Sequence, residues 1–96
     1  MRYVVIFKAY IRQLDADYFV LAQQLRERAL SQFGCCHFAA ITEGTDEVAL
    51  SYWNSLEDIQ TWHQDAQHQW AQRLGKNQWY ENFTVEVCEV LRRYGS

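Results

Sequence analysis

One imidazole, one amide and five large rings are concentrated in the second half of this chain. They are His68, Gln72, Tyr52, Trp53, Trp62, Trp79 and Tyr80, within Ser51–Trp62, His68–Gln72 and the pair Trp79-Tyr80. An imidazole changes charge near neutral pH, so His68 could orient a phenolic or acidic ligand or take its proton. The rings could wall a dry pocket for an aromatic molecule. Rings at these spacings also serve ordinary packing. Trp62 falls in the stripe Leu56, Ile59, Ala66 and would be core in any amphipathic helix, and a pocket is an unfilled part of a core.

The direction of His68 depends on the helix that carries it. On one straight helix, turning about 100° per residue, His68 points away from the Trp62 stripe and into water. A break at Gln64-Asp65-Ala66, with Asp65 capping a new segment, re-phases the faces. His68, Ala71, Gln72 and Gly75 then share one side. Residue types alone leave both arrangements open.

Other chemistries find little support. Cys35-Cys36-His37 are neighbours in an expected strand, so their side chains diverge and close no tetrahedron. His63 and His68 are five apart, a poor spacing for one helix face. No metal and no cofactor are expected. No glycine-rich phosphate loop, nucleophile elbow or paired-carboxylate signature occurs. Three cysteines, an odd number, fit buried thiols in a reducing cytoplasm.

The bulk properties set the frame. Ninety-six residues suggest one domain, 1–96. The net charge is −3 and the cations are scattered, Arg92-Arg93 being the one adjacent pair, so nucleic acid is not an expected partner. No apolar run approaches the roughly 20 residues of a membrane span, and no membrane is expected either. Met1-Arg-Tyr-Val-Val-Ile-Phe-Lys8 reads as a strand and not as a signal peptide. Aromatic residues make up 16% of the chain, more surface than so small a domain covers by itself. A two-fold homodimer is the expectation.

The elements that position these residues follow from periodicity. Arg2 to Ile11 is a strand apolar on both faces. Asp15 is placed to cap a helix with Tyr18, Leu21, Ala22, Leu25, Ala29 and Phe33 on its inner stripe, and Gly34 ends it. Cys35 to Thr42 is a strand, Glu43-Gly-Thr-Asp46 a hairpin turn, and Glu47 to Trp53 the third strand. Ser55 followed by Asp58 is capping-box-like and opens a helix through Leu56, Ile59, Trp62, Ala66, Trp70 and Leu74. Gly75 ends that run, Asn77 to Tyr80 is a connection or extra turn, and Asn82 to Tyr94 is a long last strand. The order βαββαβ is ferredoxin-like: an α+β fold with a four-stranded antiparallel sheet. Two helices cover one sheet face, and a partner protomer is expected to cover the other.

Trp53 ending a strand, the Asn54-Ser55 cap, Trp62 on the following helix, and His68-Gln-Trp-Ala-Gln-Arg-Leu-Gly75 with Trp79-Tyr80 resemble the antibiotic biosynthesis monooxygenase family. The likeness covers nearly the whole chain. It implies a dimeric α+β barrel whose pocket lies between the helices and the concave sheet. It also implies cofactor-independent oxidation of an aromatic or polyketide-like small molecule, with His68 catalytic and Trp62, Gln72, Trp53, Tyr52, Trp79 and Tyr80 contacting the ligand. A non-catalytic small-molecule-binding or stress-related dimeric module is the alternative from a different class. Trp62 also looks like the pocket tryptophan of the family's haem-degrading branch. That branch resembles a layout with an Asn on the first strand and a ligand His ten residues beyond the tryptophan. Here the strand carries Phe7 and Lys8, and the tenth position is Gln72, an amide that iron does not take as it takes imidazole.

Overall fold

The computed structural model describes residues 1–95, with the side chains of Ala66 and Gln67 excepted; Ser96 and the expected place of Ala66 on the apolar stripe lie outside the described residues. The chain forms β1 (Tyr3–Ile11), α1 (Ala16–Gln32), β2 (Cys35–Glu43), β3 (Asp46–Trp53), α2 (Leu56–Gln64), α3 (Ala66–Leu74), a π-helical turn (Gly75–Trp79) and β4 (Tyr80–Glu89). The four strands make one antiparallel sheet in the order β2-β3-β1-β4. This is the ferredoxin-like α+β arrangement.

Alternation along the strands decides which side chains meet the helices. Val5 on β1 joins Trp53, Ala29, Ile59 and Trp62 in one core cluster, while Ala9 joins Leu21, Trp79 and Tyr80 in another. Val4 and Ile6 point to the opposite face, where they pair with Tyr52 and Leu50 of β3. Ile41, 72% exposed, extends that apolar surface.

Local signals fix the ends of the helices. The Asp15 carboxylate accepts from the Tyr18 backbone N–H at 2.9 Å, and the Ser55 hydroxyl accepts from the Asp58 N–H at 3.1 Å. Gly34 has φ +87°, and a Cβ there would lie 2.7 Å from Asp58 Oδ2, so glycine answers both a backbone and a space requirement.

The break weighed at Gln64-Asp65-Ala66 is present: Asp65 adopts φ −59°, ψ 138° and separates α2 from α3. One extended residue rotates the following turns, so Trp70 leaves the inner stripe and is 53% exposed, with Arg73 over its ring. The α-helix ends at Leu74, as expected from Gly75, but the chain stays helical beyond it. Gly75 is buried and opens the π turn, where a Cβ would sit 3.1 Å from the Tyr80 ring. Close approach of an aromatic ring is the reason for glycine at this position. The last strand is Tyr80–Glu89 and not Asn82–Tyr94, because its ladder partner β1 begins at Tyr3, opposite Glu89. Beyond that pair, Val90 makes one backbone bond to Arg2.

Candidate functional site

A cavity of about 1220 Å³ lies between the helix layer and the inner sheet face. That is ample for a drug-sized aromatic molecule. Its walls come from α1, β1 to β4, both short helices and the π turn, and they are mainly apolar.

His68 is turned into this wall by the break at Asp65. The Asp65 backbone N–H bonds to the Trp62 carbonyl at 3.1 Å, closing α2, while its carboxylate caps α3 by accepting from the His68 N–H at 3.4 Å. Arg28 of α1 holds the same carboxylate through two bonds, at 2.6 and 2.8 Å. This bidentate pair fixes the break against α1 in a partly buried position. The His68 ring consequently lies 4.3 Å from the Trp62 ring, centroid to centroid, and 5.4 Å from the His63 ring.

Two polar atoms on these touching rings are buried and unpartnered among the described residues: Trp62 Nε1 and His68 Nδ1. A buried donor or acceptor without a partner costs about 1–3 kcal/mol, and in a native structure such an atom calls for a reason. Burial pushes the His68 pKa down to about 4, and the nearby His63 adds to the effect; the Asp65 carboxylate and the His63 carbonyl oppose it only in part. The imidazole is therefore neutral at physiological pH.

A second polar group lies on the cavity wall at the other end of β3. Glu47 is only 5% exposed, yet its carboxylate lines the cavity. One oxygen accepts from the Tyr18 hydroxyl and the other from the Tyr80 hydroxyl, the latter at 2.6 Å. Burial first, and then the Glu47 carboxylate, push both phenols well above their ordinary range, so they stay protonated and donate. Trp79 closes this corner, its Nε1 donating to Asp15 Oδ1 at 3.2 Å and its ring standing edge-on to Tyr18 at 5.3 Å.

Of the residues singled out in the sequence, His68, Gln72, Trp62, Trp79 and Tyr80 line the cavity. Tyr52 and Trp53 do not, and the expected walls are corrected there. Tyr52 is on the outer sheet face, 6.0 Å from the His37 ring, because adjacent strand residues must point to opposite sides. Trp53 faces the helices but is completely buried behind Trp62, its Nε1 bonded to Ser51 Oγ at 2.9 Å. The pairs Glu47 with Tyr18 and Arg28 with Asp65 were not singled out. Counting back from Trp53 in steps of two reaches Glu47 on the inner face, which is the signal that could have found it. Among the described residues, no group of three His, Cys, Asp or Glu side chains comes together as a metal site, and no helix is long and apolar enough to cross a membrane.

A four-stranded sheet, helices on one face and a cavity between the layers make the fold seen in solved antibiotic biosynthesis monooxygenase-type proteins. SnoaB, a cofactor-independent oxygenase of Streptomyces nogalater, superposes with a TM-score of 0.81 over 99% of this chain and 98% of its own, at 7% identity. Another antibiotic biosynthesis monooxygenase gives 0.77 over 94% and 99%, at 14% identity. A protein of unknown function from Nitrosomonas europaea gives 0.75 over 99% and 94%, at 10% identity. These likenesses carry the fold, and a fold does not by itself state an activity. No family model matches the sequence. The sequence is 30% identical over 92 residues to YqjZ, an uncharacterized protein of Bacillus subtilis strain 168, covering 95% of this chain and 81% of that protein, and the chain belongs to its family.

Proposed function

We propose that this chain is a cofactor-independent monooxygenase acting on a hydroxylated aromatic or polyketide-like small molecule. The observation that carries the reading is the pair of buried, unpartnered atoms, Trp62 Nε1 and His68 Nδ1, on two touching residues that line the cavity. One is a donor and the other, on a neutral ring, is free to accept. A ligand hydroxyl is both, so it can accept from Trp62 and donate to His68 once the His68 ring swings aside to uncover them.

The weakness of His68 as a base narrows the substrate. A pKa near 4 favours hydrogen bonding over full proton removal for an ordinary phenol, so the fitting hydroxyl is an acidic one, as on an enolised polycycle. Deprotonation makes the ring electron-rich enough to reduce dioxygen. One oxygen atom is then inserted into the substrate and the other leaves as water, with both reducing electrons supplied by the substrate. Gln72 and the rings of Trp62, Trp79 and Tyr80 hold the molecule in place and exclude water.

The same reading includes a homodimer. The outer sheet face offers Val4, Ile6, Leu50, Tyr52 and Ile41, and Leu91 and Tyr94 are each 84% exposed just beyond β4. An apolar surface of this kind fits a second copy of the chain.

Oxygen uptake in chelator-treated buffer tests the activity, using a panel of hydroxyanthrones and their methyl ethers with isotopically labelled dioxygen. One labelled oxygen atom per product, formed by the wild type and lost in His68→Ala, is expected. Tight binding of the panel with no uptake would leave a binding module and overturn the oxygenase assignment.

A further inference from the structure

The Glu47 carboxylate has no part in that reaction, although the rings of Trp79 and Tyr80 beside it serve there too, and its surroundings are unusual for a packing cluster. A carboxylate only 5% exposed has no Lys, Arg or His partner among the described residues; its two bonds come from neutral phenols. Aromatic rings enclose it: Tyr18 stands at 86° to Trp79 and at 90° to Tyr80, with centroids at 5.3 and 6.3 Å. Phe7 packs against Tyr80 at 5.4 Å and against Phe83 at 5.5 Å. All six side chains line the cavity. A buried negative charge without a counter-charge favours a cation, and ring faces within about 6 Å of a cation attract it as well.

We propose that this corner is a binding subsite for an ammonium group, protonated or quaternary, carried by an aromatic or otherwise apolar ligand. The phenols of Tyr18 and Tyr80 hold the carboxylate in place while leaving each oxygen a further lone pair for the ligand. The aromatic enclosure replaces the water that the ammonium loses on entry. The subsite requires binding alone, so it stands or falls independently of oxygen chemistry at His68.

Three matched phenols test it by calorimetry on the intact wild-type protein: N,N,N-trimethyltyramine, its neutral carbon isostere 4-(3,3-dimethylbutyl)phenol, and the anion 3-(4-hydroxyphenyl)propanoate. The ammonium compound should bind at least tenfold tighter than the isostere, and the anion most weakly. Glu47→Gln should bring the ammonium and the isostere to within twofold of each other while leaving isostere affinity unchanged. Equal affinities in the wild type, tighter binding of the anion, or a preference that survives Glu47→Gln would overturn the proposal. Tyr18→Phe, which releases one lone pair of Glu47, gives a second reading should Glu47→Gln fail to fold. It should raise the ammonium preference at least threefold, and an unchanged preference would place the cation elsewhere and overturn the subsite.

Discussion

Acid should destabilise this protein through His68 in a way that one substitution removes. The folded pKa is about 4, against 6.5 for an unperturbed imidazole. Between those values the unfolded chain binds a proton that the folded chain refuses, so stability rises with pH across that window. The neutral ring's contribution is fully present above pH 6.5 and is lost as pH falls towards 4. Integrating the linkage from pH 7.5 to pH 4.5 gives a loss of at most about 2.5 kcal/mol from this one group. His68→Gln has no titrating ring and should show no such component. Urea unfolding of both proteins at matched concentration measures it, since the carboxylates titrate in both and largely cancel in the difference. The wild type should lose about 2 kcal/mol more than the variant between pH 7.5 and 4.5. Parallel acid limbs, within about 0.5 kcal/mol, would show that His68 titrates normally and that the ring is not held in the wall.

Three further outcomes follow from the geometry. Gly34→Ala should destabilise by about 1–3 kcal/mol, because alanine resists φ +87° and its Cβ would meet Asp58 Oδ2 at 2.7 Å; thermal unfolding should fall by several degrees. Arg28→Met should cost about 2 kcal/mol by removing both bonds to Asp65, and NMR titration should find the His68 pKa risen towards 6.5 as α3 loosens. Haemin should bind poorly and without turnover, with little change in its Soret band; a tight one-to-one complex reduced and degraded in the presence of an electron donor would show that His63 or His68 ligates iron.

What the sequence reveals of this molecule divides by range. Caps and turns are local, so Asp15, Gly34, Ser55 and the break at Asp65 are legible from a few neighbouring residues. Where the register has to be known, the reading weakens. Tyr52 and Trp53 are adjacent on a strand and could never share a wall, yet which one faces inward depends on pairing with β1. Gly75 reads as a helix stop, and α3 does end before it, but its further constraint, the Tyr80 ring, is five residues away and arrives through a π turn that no periodicity announces. Glu47 is the furthest from view. It follows a hairpin turn, where a charge normally means solvent, and its two phenols come from positions 29 and 33 residues away. Arg28 is similar: a cation off the apolar stripe of α1 whose partner, Asp65, is 37 residues distant. Long-range pairing of polar groups, set by the fold as a whole, is what local pattern omits.

The central claim is that His68 sits neutral in the cavity wall and takes a hydrogen bond from a ligand hydroxyl. Nitrogen-15 NMR of the His68 imidazole measures both parts, with 4-(3,3-dimethylbutyl)phenol and its methyl ether as ligands. The account predicts a ring that stays neutral from pH 7.5 down to about 5, and an Nδ1 resonance that moves on adding the phenol and stays in place with the ether. A ring that titrates near 6.5 and ignores the phenol would contradict it.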